Sequence, residues 1–238
     1  MLKILDLIFP PRCPFCFDIL TSSVPVCEKC AKKLPYVKDP VCRKCGRPID
    51  EFSYDLCRVC RINKVKFERA CAPLLYKGSV RKSILRFKFY HHPSYAKGFA
   101  FLMVQRLLNM PDILKDVSFI TYVPQNRNAH LLKGYNQAKL LADEISKLTG
   151  LEVKSTLLRK NGVRQATLKK QQRFENVKKA YYKKDLYLSG NALLIDDVLT
   201  TGATSGYCAF LLKRMGCDKV YVCTIATVGD DTYEKTHN

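Results

Sequence analysis

The chain contains no run of eighteen apolar residues, so no stretch has the make-up of a membrane-spanning helix. Its opening, Met1 to Phe9, is apolar but short and is interrupted by Lys3 and Asp6. It has no small-residue cleavage site, which argues against a secretory signal peptide. Leu2, Ile4, Leu5, Ile8 and Phe9 suit one face of a short helix ended by Pro10-Pro11. Packing on its own domain is preferred for that helix over a membrane surface. Acidic residues are scarce: 21 Asp and Glu stand against 41 Lys and Arg, a formal charge of +20. Such a field favours polyanions, whether nucleic acid, phosphorylated metabolites or an anionic membrane face, without choosing among them. The chain has only four histidines, His91, His92, His130 and His237, and none sits in a recognisable triad. No residue therefore stands out as a general base. There is no low-complexity linker and no repeat beyond the cysteine pairs. At 238 residues, 47% of them hydrophobic, one or two domains with a real core are expected.

Cysteine, by contrast, is abundant and ordered. Eight of the twelve cysteines form four CxxC pairs: Cys13/Cys16, Cys27/Cys30, Cys42/Cys45 and Cys57/Cys60. A CxxC turn aims two sulfurs at one metal, and two such turns close a tetrahedral site. The spacing therefore predicts two structural Zn²⁺ ions with no open coordination position. Disulfides are the alternative, disfavoured without a secretory leader. Sequential pairing closes shorter loops than cross-bracing and is favoured on chain entropy. Gly46 after Cys45 suits a knuckle that needs positive φ. The segment is too small for a core of its own, so metal supplies its folding energy. Cys71, Cys208, Cys217 and Cys223 lie in apolar contexts and read as buried thiols.

The stretch Ala192-Leu193-Leu194-Ile195-Asp196-Asp197-Val198-Leu199-Thr200-Thr201-Gly202-Ala203-Thr204 reads as a buried parallel strand, an acid pair and a loop that opens a helix. Ligands of open α/β sheets bind at the carboxyl ends of strands. Thr200, Thr201 and Thr204 offer hydroxyls, Gly202 lets backbone N–H groups close on a phosphate, and the helix start adds its positive end. Asp196 and Asp197 carry acceptors for two vicinal sugar hydroxyls. Position by position, the order resembles the phosphoribosyl-pyrophosphate (PRPP) loop of type I phosphoribosyltransferases.

The rest of the chain alternates strand and helix from about residue 68. Ala70 to Tyr76, Val117 to Val123, Leu151 to Leu157 and Lys219 to Thr227 read as strands. Tyr95 to Leu107, Asn136 to Thr149 and Ser205 to Met215 read as helices, with Asn136 as cap and Gly150 and Gly216 as stops. This pattern predicts βαβ units and a mainly parallel sheet. The domain join falls near Asn63 to Arg69. Two stretches concentrate the charge: Lys154 to Lys184 has eleven basic residues and one acid, and Arg69 to Pro111 has eight and none. Within the latter, Arg86-Phe87-Lys88-Phe89-Tyr90 interleaves cations with rings. Arg86, Lys88 and Phe89 are thus candidates for contacting DNA. A half-buried element with a solvated cationic face is an equal alternative.

Taken end to end, the chain resembles the ComF/GntX family of competence proteins. The resemblance is carried by Leu5 to Cys16, the four CxxC pairs, Tyr76-Lys77-Gly78, Leu85 to Phe89, Val123-Pro124, Lys133-Gly134-Tyr135-Asn136-Gln137-Ala138, the block Gln165 to Val177 and the acid-pair loop. Lys133 stands where that family more often has Arg, which removes a bidentate phosphate fork. The resemblance implies a double zinc ribbon over residues 1–67. It implies a type I phosphoribosyltransferase-like α/β domain over 68–238, its mainly parallel sheet flanked by helices. It further implies a part in natural transformation, the uptake of single-stranded DNA across the inner membrane. Partners would be PRPP, single-stranded DNA, a competence helicase and other uptake proteins. The location would be cytoplasmic, with peripheral association at the inner membrane left open.

By the same resemblance, Asp196 and Asp197 hold the ribose hydroxyls, directly or through Mg²⁺, in a PRPP-binding stretch that continues through Val198, Leu199, Thr200, Thr201, Gly202, Ala203 and Thr204, of which Thr200 to Thr204 cradle the 5′-phosphate. Pro124, Gln125, Asn126 and Arg127 form the pyrophosphate loop. Arg159 and Lys160 open a basic loop that closes over pyrophosphate, although plain surface charge explains them equally well. Whether the site turns over as a glycosyltransferase, and on which acceptor, is left open.

Overall fold

A computed structural model describes residues 10–20, 24–50, 55–125, 134–160 and 177–229. The expected helix at Met1 to Phe9 lies outside them, as do Asn126, Arg127, Lys133 and residues 161–176. The described elements are α1 (Glu28–Ala31), α2 (Arg58–Ile62), β1 (Arg69–Cys71), β2 (Leu74–Leu75), α3 (Gly78–Phe89), α4 (Tyr95–Leu108), α5 (Pro111–Asp116), β3 (Phe119–Tyr122), α6 (Gln137–Thr149), β4 (Leu157–Arg159), β5 (Tyr181–Lys183), β6 (Ala192–Leu199), α7 (Ala203–Lys213) and β7 (Val220–Thr227).

The sheet runs β1-β7-β6-β3, with β2 also on β7, and every pair in it is parallel. Its centre is β6 against β7, in register from Ala192 opposite Val220 to Leu199 opposite Thr227. Residues 192–195 are wholly buried, as a strand covered on both faces requires. Their side chains alternate between two cores. Leu193 and Ile195 join Phe99 of α4 and Leu141 of α6; Ala192 and Leu194 join Cys208 and Leu212 of α7. Each of these leucines and Ile195 contributes roughly 1.5–3 kcal/mol by leaving water.

The predicted helices form with their stops in place. The Asn136 side chain accepts from Lys139 N at the start of α6, and Gly150 ends that helix at φ 77°. The strand expected over Ala70 to Tyr76 is broken into β1 and β2, with Ala72 and Pro73 between them. The Leu151 to Leu157 strand is not continuous either. Val153 makes one parallel bridge to Ile120 at the sheet edge, and β4 then pairs antiparallel with β5 in a separate hairpin. The stretch around Arg86 is helical, the end of α3.

The cysteine-rich region is joined to this sheet. Val37 N donates to Pro73 O, Leu75 N to Pro35 O, and Ala70 N to Lys44 O, at 2.9, 2.8 and 2.8 Å. These bonds cover the β1–β2 edge, which would otherwise present unpaired backbone groups. Cys13 and Phe15 pack into the α4–α6 core, with the Phe15 and Phe99 rings 5.8 Å apart. Cys42, Cys45 and Cys57 pack into the α7 core. The two cysteine groups therefore serve opposite faces of one sheet.

Candidate functional site

The metal centres follow the sequential order. Cys13, Cys16, Cys27 and Cys30 form one group and Cys42, Cys45, Cys57 and Cys60 the other, with the ligand atoms in each group within 4.8 Å of one another. A zinc tetrathiolate with bonds of ~2.3 Å has sulfur–sulfur edges of about 3.8 Å. Cys16 Sγ lies 3.7 Å from Cys27 Sγ, and Cys45 Sγ lies 3.6 Å from Cys57 Sγ. Both groups thus suit structural Zn²⁺. Gly46 sits at φ 68° in the second knuckle, and a Cβ there would lie 2.5 Å from Ala70 O. Only glycine allows that knuckle to press against the sheet edge.

The acid pair lies at the carboxyl end of β6, between β3 and β7. Asp196 and Asp197 are half-buried, directly after four fully buried residues. Each carboxylate accepts from the next backbone N–H: Asp197 N to Asp196 Oδ1 at 2.9 Å and Val198 N to Asp197 Oδ1 at 2.8 Å. The free Oδ2 of Asp197 takes Lys88 Nζ at 2.7 Å. Burial, and next the neighbouring Asp197 charge, push the Asp196 carboxyl up to about 7. The same pair, Asp197 first, holds the Lys88 ammonium above its ordinary value.

Lys88 is positioned by a set of hydrogen bonds. Tyr135 Oη donates to Phe87 O at 2.8 Å, and Gln137 Nε2 donates to Lys88 O at 3.1 Å. Asn136 Nδ2 reaches Val123 O at 3.3 Å. Residues 135 to 137 therefore tie together the end of α3, the end of β3 and the start of α6. This brings Val123, Pro124 and Gln125 to the same edge of the sheet as the acids.

The loop after β6 is held from behind. Thr227 Oγ1 donates to Leu199 O at 3.2 Å. Arg47 Nη2, from the second zinc knuckle, donates to Thr200 O. Arg47 is only 4% exposed, which makes it a buried cation committed to that contact. Burial works against its charge, and the nearby Cys45 and Cys57 sulfurs more than offset it. Gly202, at φ 74°, turns the chain into α7, with Val65 Cγ1 3.4 Å from where a Cβ would stand. Ala203 N lies 3.4 Å from Thr201 Oγ1. The front of the loop thus keeps its hydroxyls half-exposed at a helix start.

Among the remaining expected residues, Arg159 ends β4 with its guanidinium 5.3 Å from the Tyr181 ring centroid, and its charge is felt by Asp196. Lys160 is exposed. Arg86 is half-buried and Phe89 is 52% exposed on α3, while Lys88 of the same trio faces the acids. Arg47 escaped the sequence reading because a basic residue between Gly46 and Pro48 looks like ordinary surface. The brace from Tyr135 and Gln137 was visible only as a motif.

A family model for the double zinc ribbon domain matches residues 4–71. Competence protein F of Haemophilus influenzae is 29% identical over 99 residues, which cover 40% of this chain and 43% of that protein. Among the described residues, no helix is long and apolar enough to cross a membrane. With two four-cysteine groups packed against an α/β sheet, the chain carries a double zinc ribbon and is similar, over part of its length, to that competence protein, less than half of which it spans.

Proposed function

We propose that this protein is a competence accessory factor for the uptake of single-stranded DNA, and that its sheet carries a PRPP-binding site on a type I phosphoribosyltransferase fold. In this reading residues 1–67 are the double zinc ribbon and 68–238 the PRPP-binding domain. The observation that carries it is the acid pair at the carboxyl end of β6, followed at once by a hydroxyl loop that opens α7. Asp196 and Asp197 accept from the ribose hydroxyls. The N–H groups and hydroxyls of residues 200 to 204 hold the 5′-phosphate at the positive end of α7. Pro124 to Arg127 is read as the pyrophosphate loop; Pro124 and Gln125 follow β3, and Asn126 and Arg127 lie outside the described residues. Arg159 adds positive charge. Hard carboxylate oxygens suit Mg²⁺, which would offset charge on the departing pyrophosphate when bound. DNA association rests on the basic balance of the chain and on its likeness to the competence protein. A helicase partner and a place at the inner-membrane face belong to the same reading.

A second reading is an active phosphoribosyltransferase with an acceptor still to be identified. Asp196 favours it, because burial and the neighbouring Asp197 charge push its carboxyl up to about 7, which suits it to take a proton at working pH. Calorimetry with PRPP and Mg²⁺ tests the first reading: the Asp196→Asn/Asp197→Asn variant should lose binding while keeping its fold. Unchanged affinity would sink it. Pyrophosphate release with a panel of nucleobases tests the second.

A further inference from the structure

We propose that the groove between α7 and the β4–β5 hairpin is the surface on which single-stranded nucleic acid lies. This rests on the DNA-binding part of the reading above and gives it a location. The groove encloses about 410 Å³ and no carboxylate lines it. Five cations do: Lys160, Lys178, Lys179, Lys183 and Arg214. Among the described residues, Lys160, Lys179, Lys183 and Arg214 are in no ion pair, whereas Lys213 on the same helix is paired with Glu68. Four charges brought together without counter-charges repel one another and are relieved by a polyanion.

Rings separate this groove from a merely solvated basic face. Tyr207 and Phe210 stand one turn apart on α7, half-buried and stacked at 5.8 Å. Arg214, a further turn on, lies 5.9 Å from the Phe210 centroid. On the opposite wall Tyr182 is 40% exposed. Cations along a groove with accessible ring faces are the combination that tracks a phosphate backbone and stacks its bases. A lipid surface would need apolar side chains standing proud, and here Tyr207 and Phe210 are half-buried between flanking cations. The chain's own segment 161–176 carries four cations and one acid, so its charge does not complement the groove.

The test uses the full zinc-loaded chain and a fluorescent oligothymidylate, followed by anisotropy over a range of salt. Lys160→Glu/Lys179→Glu/Lys183→Glu should lower affinity by about ten-fold or more. It should also flatten the salt slope by roughly 2, since each lost single-strand phosphate contact removes about 0.7. Tyr207→Leu/Phe210→Leu, which keeps apolar volume, should cost about five-fold or more with the slope unchanged. Lys29→Glu/Lys33→Glu/Lys38→Glu makes the same change in net charge on the first ribbon and should retain wild-type affinity within about three-fold. Equal zinc content and melting temperature across the variants would show that they fold. If the wild type binds and the groove variants bind equally well, or if Arg86→Glu/Phe89→Leu alone carries the loss, this location is wrong and DNA binding stands. If the wild type binds no oligonucleotide, the DNA reading itself falls. Binding to phosphatidylglycerol vesicles that the oligonucleotide does not compete away would overturn the proposal in favour of a membrane.

Discussion

Lys88 Nζ and Asp197 Oδ2 meet at 2.7 Å although 109 positions separate them in the chain. Lys88 comes from the last turn of α3 and Asp197 from the end of β6, so the contact closes the site across two elements. It leaves Asp196, the other acid, as the group whose charge is least supported. The ammonium is 39% exposed and the carboxylate 15%, so water screens the pair on one side.

Lys88→Gln removes a charge that favours ionised Asp196. The pH midpoint for binding PRPP with Mg²⁺, expected near 7 in the wild type, should therefore move upward. Calorimetry at a series of pH values between about 6 and 9 reads the shift directly. A midpoint that stays in place, or moves down, contradicts the assignment.

Asp196 also sets a pH dependence of stability. Its folded value lies near 7 against an ordinary 3.8, chiefly because it is buried. Between those values the folded chain holds a proton that the unfolded chain lacks, so stability falls as pH rises through about 7. Asp196→Asn cannot ionise. Without ligand it should melt higher than wild type above pH 7, and the gap should close on acidification. Thermal melts at a series of pH values check the sign.

Arg47→Met keeps the volume of a buried side chain but leaves Thr200 O without its donor. A hydrogen bond from a charged group contributes about 1.5–3 kcal/mol. The variant should lose stability of that order, retain both zinc ions, and show faster amide exchange over residues 200 to 203. Affinity for PRPP should fall with it. Full exchange protection in this variant would mean that the knuckle does not hold the loop.

The two zinc centres should be separable. Cys13→Ser and Cys57→Ser should each lower bound zinc from two ions to one. Loss of the first loosens α4, against which Phe15 packs; loss of the second loosens the loop gripped by Arg47. Exchange mass spectrometry distinguishes them. Identical protection patterns in both variants would show that the two faces are not served independently.

Much of this arrangement could be read from residue order, because it depends on local chemistry. Four CxxC turns specify two tetrathiolates whatever surrounds them. A run of apolar residues ending in Asp196-Asp197 marks a central parallel strand, since the covering of both faces is written into the run itself. Asn136 and Gly150 bound their helix by capping, which involves only near neighbours. What the order of residues left open was decided by contacts between distant segments. Arg86 to Phe89 carries both helical and strand-like signals, and packing of Phe87 in the core made it a helix that aims Lys88 at the acids. Arg47 became a buried donor only because the second knuckle settles against the loop after β6. The cationic groove exists only where α7 passes the β4–β5 hairpin. Periodicity and spacing set what each segment becomes, but burial and charge pairing arise between segments, so only the tertiary fold decides which partners meet.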